Sequence, residues 1–376
     1  MTALGGVDVV LGVAGVVVVI CPPLVLNPTR GSPHGNTVPS PAGSAGYAVA
    51  VTFGKPRYAE INAQLNRRFA EAGTLVMAHR GTAAGSIAEN TTGAVLAAVR
   101  SGADIVEIDV TGSSDGEYFV HHDGIEGQHL TTDINLTRMP AAAIEEMSYR
   151  WLDRPGRTVR LERLAELLAP FRSASRGAVM FNIDRSWWWW PDVLDELAAL
   201  DMTPQLLLKC HARNADAIEL LAAHPVKFPF MPICFTVEEA ERYLDRDDLN
   251  LVGVEVIAPT PSSAPGPVEG AAATPAPAVP VPELVEGSPF TRAATFAALH
   301  ERGVFVLVNA EVLPIAVQCF PGLCDERAIL EGSEAGWGPI FDLGADVIQT
   351  DWPWLLADYR EYRRPARRRH DAPAES

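Results

Sequence analysis

No cysteine in this chain has the spacing of a zinc ligand. Cys21, Cys210, Cys234, Cys319 and Cys324 form neither a CxxC pair nor a Cys/His cluster, which excludes a structural zinc centre. Only Cys319 and Cys324 stand close enough for a local disulfide, and two free thiols beside a loop account for them equally well. Positive charge is also scarce: 30 Lys and Arg against 47 Asp and Glu leave a net charge of −17, which repels polyanions and speaks against a nucleic-acid partner. A small anionic substrate is not excluded, because a bound cation and one or two basic groups reverse the local field inside a pocket. The chain lacks a clean membrane span as well. Residues 9–20 are apolar, but Pro22 and Pro23 cut the run short of the roughly 20 residues that a spanning helix needs. No Lys or Arg precedes that run, Arg30 being the first, and no A-x-A site follows it, so it fits a secretory signal poorly. The cytoplasm is therefore favoured over export or anchorage, with an atypical signal or anchor left open. Nothing indicates a protein partner.

What the chain does have is apolar residue enough for a sizeable core: 48% of its 376 residues are hydrophobic and 20% charged. Residues 27–45 are rich in Pro, Gly, Ser and Asn and read as a flexible lead. Residues 259–289 are dominated by Pro, Ala and Gly, which cannot bury enough surface to order themselves. That second stretch is taken as a disordered insertion within one domain, because the alternation of strand and helix patterns on its left resumes on its right. Eight short apolar, β-branched runs lie at 75–78, 105–110, 178–183, 205–208, 230–235, 251–257, 304–308 and 347–350. Between most of them fall amphipathic stretches such as 92–100, 161–168, 193–200, 214–223, 237–243 and 292–302. Eight strands alternating with helices predict a (β/α)8 TIM barrel over 56–360, with a doubly wound open sheet as the competing arrangement. Residues 1–55 then form an apolar segment and lead, and 361–376 a charged tail. A barrel places its catalytic residues at or just beyond the C-terminal ends of its strands.

The polar residues fall at those places. His79 and Arg80 directly follow the first run. In the second, Ile105-Val106-Glu107-Ile108-Asp109-Val110, the two-residue period sends Glu107 and Asp109 to one face and Val106, Ile108 and Val110 to the other. Two carboxylates side by side in an apolar strand are costly unless one is protonated or a cation neutralises both. Pairing with buried Arg or Lys is the structural alternative. Asp184 closes the third run and brings another carboxylate to the same end of the barrel. Three oxygen donors without cysteine suit one hard divalent cation, Mg2+ or Ca2+. His122 follows the short extended segment 118–120, which the turn Asp115-Gly116 introduces. Two imidazoles beside a metal are what in-line attack on a phosphodiester needs. The metal polarises the phosphoryl oxygens, one imidazole takes the nucleophile's proton and the other protonates the leaving alkoxide. Arg80 would add a planar donor for the phosphate.

His79-Arg80-Gly81, Glu89-Asn90-Thr91, Gly102-Ala103-Asp104, Glu107-Ile108-Asp109-Val110, Asp115-Gly116, His122-Asp123, Gly344-Ala345-Asp346 and Thr350-Asp351-Trp352-Pro353 resemble, in order and spacing, the successive motifs of glycerophosphodiester phosphodiesterases. The resemblance spans roughly Tyr58 to Tyr359. It implies His79 and His122 as the acid/base pair, Glu107 and Asp109 as metal ligands, and a small phosphodiester substrate cut to a phosphomonoester such as glycerol 3-phosphate and an alcohol. The chain departs from the family at the third strand, where Asp184-Arg185-Ser186 stands for the usual Glu-x-Lys. Asp184 can still ligate, whereas Ser186 cannot replace a phosphate-binding lysine; Lys209 either supplies that charge or is an ordinary surface lysine. These departures suggest an atypical branch. A lyase-like reaction giving a cyclic phosphate, and a barrel that only binds phosphorylated ligands, are the competing functions. Trp187 to Trp190 are read as packing under the third βα loop in preference to a subsite. Trp337 and Trp352 fall beside late loops, where either could wall the substrate, and Asn309 and Glu311 are secondary candidates for hydroxyl contacts. His121, His129, His211, His224 and His300 are read as structural or surface residues.

Overall fold

The computed structural model describes residues 10–11, 17–18, 52–150, 159–173, 178–258, 288–313, 317–320 and 322–364. The insertion expected at 259–289 lies outside them up to residue 287, as does the expected tail beyond residue 364. The chain divides into two units, 1–48 and 49–376. In the first, Val10–Leu11 pairs antiparallel with Val17–Val18. Among the described residues no helix is long and apolar enough to cross a membrane.

The second unit is built on eight strands: β1 Leu75–Ala78, β2 Ile105–Gly112, β3 Met180–Asp184, β4 Leu206–His211, β5 Phe230–Cys234, β6 Gly253–Val256, β7 Phe305–Asn309 and β8 Val347–Thr350. Each runs parallel to its neighbours in sequence order, and β8 pairs back onto β1, so the ring closes. The fold is the expected (β/α)8 barrel, and the β8–β1 ladder excludes the open sheet. Strands buried on both faces explain the near-continuous apolar runs. Outward residues such as Val106, Ile108, Val110, Ile183, Val254 and Val306 pack against helix residues including Val95, Val193, Leu197 and Ile218.

The inward residues separate into two ends. At the N-terminal end Leu75, Met77, Ile105, Met180, Leu207, Phe305 and Leu307 meet Phe53, Leu65 and Phe69. Leu65 and Phe69 lie one turn apart on the helix Ala63–Ala72, which therefore closes the barrel floor. Phe69 packs edge-on to Phe53 and tilted against Phe305, with ring centroids 4.7 and 5.4 Å away, and burying each such ring contributes about 1.5–3 kcal/mol. The fold thus begins ahead of residue 56, since Phe53 is part of this plug. The last helix, Pro353–Arg363, likewise runs past residue 360 into the stretch expected to be tail, where Arg363 pairs with Asp342 at 2.5 Å. With the floor filled by hydrocarbon, the polar inward residues collect at the opposite, C-terminal end.

The helices match the sequence pattern where caps reinforce it. Thr92–Arg100 starts where the Thr91 hydroxyl accepts the Ala94 N–H at 3.2 Å, and Val237–Leu244 starts on a Thr236/Glu239 capping box. Cys210, Cys234, Cys319 and Cys324 are free and buried, so the disulfide weighed for Cys319 and Cys324 is not formed.

Candidate active site

Strand pairing assembles the carboxylates. β2 and β3 align Glu107 with Asn182 and Asp109 with Asp184, all four at the barrel's C-terminal end. One carboxylate oxygen from each of Glu107, Asp109 and Asp184 lies within 4.8 Å of the others. Glu107 is fully buried; its Oε2 accepts the Arg80 N–H at 2.8 Å, while Oε1 has no partner. Burial and the adjacent Asp109 push the Glu107 carboxyl up to about 8. Asp109 goes the other way. Burial works against its charge, but Arg80, His122 and Arg185 and the Asn90 amide, 2.9 Å away, outweigh that and hold it below the ordinary carboxylate range. The donor set is all oxygen, one buried oxygen is orphaned, and one carboxyl ionises readily only beside added positive charge. These residues fit a hard divalent cation.

The loop after β1 ties this group together. His79 donates its N–H to Thr350 O at 3.1 Å, and its Nδ1 lies 2.9 Å from Asp351 Oδ1. Burial disfavours a charged His79, but the Asp351 hydrogen bond and the Glu311 carboxylate more than offset it and push the imidazole up to about 10. Its side chain keeps 12% of its surface exposed, enough to reach the mouth. Arg80 has a left-handed backbone, φ 53°, and its guanidinium is engaged by Glu89 at 2.8 Å and Asp109 at 3.0 Å. In the Glu89-Asn90-Thr91 motif, Glu89 holds Arg80, Asn90 brackets Asp109 through both amide atoms, and Thr91 caps the next helix. Asn90 and Arg185 share the left-handed conformation, at φ 55° and 58°, and each such residue costs about 1–3 kcal/mol.

A hairpin delivers the second histidine. The strand Tyr118–Val120 pairs antiparallel with the end of β2, and His121 N–H bonds Asp109 O at 3.1 Å, so the chain turns at His122 beside the triad. His122 Nδ1 meets Asp123 O at 2.8 Å. Burial, with Arg185 and Arg80 nearby, lowers its proton affinity although Asp109 opposes this. Arg185 is anchored in turn on Asp123 at 2.9 Å.

Lys209, on β4, is only 1% exposed and therefore not a surface lysine. Its Nζ sits 2.9 Å from Asp184 and 3.2 Å from Glu255 of β6, and Glu255 also accepts from Asn309 at 2.8 Å. Sequence reasoning passed over Glu255, Asn90 and Asp351 as functional side chains. The signal for Glu255 was present: a single acid inside the apolar run 251–257, the same anomaly that marked Glu107. Ser186 is buried with its hydroxyl turned to Ile183 O. Trp187 and Trp190 pack in the core as expected. Trp337 does not line the mouth: it is fully buried, because its indole N–H finds Asp325 Oδ1 at 2.8 Å behind β8. Trp352 stays exposed at the C-terminal end of β8.

The molecule is thus a closed parallel (β/α)8 barrel with a carboxylate triad, flanked by His79 and His122, at its C-terminal mouth, the end where barrels of this class place their sites. Residues 79–185, which carry His79, the triad and His122, match the model of the Glycerophosphoryl diester phosphodiesterase family. The likeness to that family is carried by those residues. No curated protein sequence matches the chain. Among solved structures it is similar to a glycerophosphoryl diester phosphodiesterase from Parabacteroides distasonis, with 15% identity, TM-score 0.52, and 78% of this chain and 88% of that one covered. It is also similar to an Oleispira antarctica phosphodiesterase solved with sn-glycerol-3-phosphate, with 17% identity, TM-score 0.51, and coverage of 77% and 99%. At these identities the likeness speaks for the fold.

Proposed function

We propose that the chain hydrolyses a glycerophosphodiester or a similar small phosphodiester to a phosphomonoester such as glycerol 3-phosphate and a free alcohol. The observation that carries this reading is the convergence of Glu107, Asp109 and Asp184 within 4.8 Å, in a segment of the phosphodiesterase family. The glycerol 3-phosphate named for the Oleispira antarctica neighbour supports the choice of product. Glu107, Asp109 and Asp184 would hold one divalent cation, Mg2+ or Ca2+, which when bound polarises a phosphoryl oxygen.

The remaining roles follow from the protonation each environment favours. His79, kept protonated by Asp351 and Glu311, is the donor to the leaving alkoxide. His122, kept neutral by burial and by Arg185 and Arg80, takes the proton from the attacking water. Arg80 and Lys209 supply positive field for the phosphate. Both are fixed by carboxylates, so they orient the anion without swinging to meet it.

The test is release of glycerol 3-phosphate from glycerophosphodiesters in EDTA and after Mg2+ or Ca2+ is restored. Activity should require the cation and fall about 100-fold or more in His79→Ala and in His122→Ala. Unchanged turnover in His122→Ala would remove its assigned role. An exclusively cyclic product in phosphorus NMR would replace hydrolysis with attack by a substrate hydroxyl.

A further inference from the structure

One buried carboxylate outside the triad accepts from three donors, two of them on Thr350 and Asp351 at the C-terminal end of β8. Asp325 opens the helix Asp325–Leu330 and is 1% exposed. Its Oδ1 accepts the Thr350 hydroxyl and the Trp337 indole N–H, each at 2.8 Å, and its Oδ2 accepts the Asp351 backbone N–H at 2.8 Å. Its own N–H is fixed on Ala310 O at 2.7 Å, so β7, this helix and the end of β8 share one network. Thr350 also receives the Trp352 N–H at 2.9 Å on its hydroxyl and the His79 N–H on its carbonyl.

The network ends on His79. Asp351 Oδ1 lies 2.9 Å from His79 Nδ1, yet the Asp351 side chain is 45% exposed. A half-exposed ion pair holds its geometry poorly by itself, since side-chain entropy and solvent compete with it. Here the backbone of Asp351 is locked from behind by a buried acceptor, which fixes the point from which its side chain reaches His79. With Nδ1 bound to Asp351, the other ring nitrogen, Nε2, is the one free for the substrate. Besides Asp351, the groups facing His79 are Glu311, Arg80 and Glu107.

We infer that Asp325 is a positioning residue for catalysis: by holding the Asp351 amide it keeps the Asp351 carboxylate on His79 and so fixes the imidazole's orientation. The inference rests on the catalytic role proposed for His79. Asp325→Asn is the selective perturbation. An asparagine oxygen can still accept from Trp337 and Thr350, but its NH2 then confronts the Asp351 N–H, donor against donor, and that one bond is lost.

The test is a double-mutant cycle on the full chain with cation present. Asp351→Asn should lower kcat about 100-fold and Asp325→Asn about 10-fold, the range for groups that orient a ligand or catalyst, with KM within about twofold. If Asp325 acts through Asp351, the double variant is no more than about twofold below Asp351→Asn alone. In both single variants the limb of the kcat profile set by His79 moves to lower pH. Factors that multiply in the double variant, or an Asp325→Asn protein that loses thermal stability at unchanged kcat, would overturn the inference. Nitrogen-15 histidine NMR decides the linkage without turnover. The His79 Nδ1 proton, assigned by its loss in His79→Ala, should be sharp in the parent, broadened in Asp325→Asn and absent in Asp351→Asn. A parent protein that cleaves no phosphodiester would sink the functional reading, while this spectrum would still confirm the linkage or refute it.

Discussion

Replacing Lys209 by Met removes the ammonium that Asp184 and the buried Glu255 share, and the structure gives the expected cost. Asp184 keeps 21% of its side chain exposed and can recruit water, but Glu255 keeps only 3% and has Asn309 as its other partner. The penalty therefore falls chiefly on Glu255, and breaking a buried pair from one side costs about 3–5 kcal/mol. For a barrel of this size each kcal/mol moves the melting point by about 2 °C, so Lys209→Met should melt about 6–10 °C lower in EDTA. Cation should then recover more stability in the variant than in the parent. Asp184 loses a competitor for its oxygen, and ligand-linked stabilisation grows as affinity rises. Circular-dichroism melts with and without Mg2+ read both effects. A melting point in EDTA within about 2 °C of the parent, with no added response to Mg2+, would show that Lys209 does not balance these charges.

Two further outcomes test the site's frame. Glu107 titrates near 8 in the folded chain against an ordinary 4.5, so the folded form holds the extra proton. Its contribution is complete below about pH 4.5 and lost as the pH rises through 8. His79, raised to about 10, adds to the loss at higher pH, so melts in EDTA should fall from about pH 7 to pH 9, above the range in which the depressed His121, His122 and His211 act oppositely, and saturating Mg2+ should flatten that fall; a metal-free curve rising over that interval would contradict the assignment. Gly81→Ala should destabilise by about 2 kcal/mol or more: φ is 77°, and a Cβ would lie 2.8 Å from the Ala94 carbonyl carbon. A parent-like melting point would mean that the loop after β1 yields freely.

What could be read in the sequence was whatever depends on local period. The alternation within 105–110 put Glu107 and Asp109 on one face, and the structure has Val106, Ile108 and Val110 on the other, packed outward against helices. The helix Thr92–Arg100 was equally legible, because amphipathicity acts within a few residues. What escaped was whatever depends on closure. His79 and Asp351 are 272 positions apart and meet only because β8 pairs with β1. The helix Ala63–Ala72 carries only two large apolar residues, Leu65 and Phe69, and they gain meaning only from the open barrel end they fill. Trp337 could be placed near a late loop, but whether its ring faced the mouth or the core was settled by Asp325, twelve residues earlier in the chain.

The departure at the third strand has a geometric answer. β3 and β4 align Ile183 with Leu208, so the next step along each strand brings Asp184 beside Lys209. The positive charge that the family resemblance would put at Ser186, beyond the strand, thus stands inside the barrel on the neighbouring strand, at the level of the same carboxylate. A lysine on a loop can follow a phosphate; one clamped by Asp184 and Glu255 within a closed sheet cannot. In the proposed reaction the field at the mouth would therefore be set before substrate arrives, and preorganised charge of that kind costs no rearrangement as a leaving group departs. The shorter Asp184 matches this arrangement, since a carboxylate already held by Lys209 at 2.9 Å need not extend as far into the mouth.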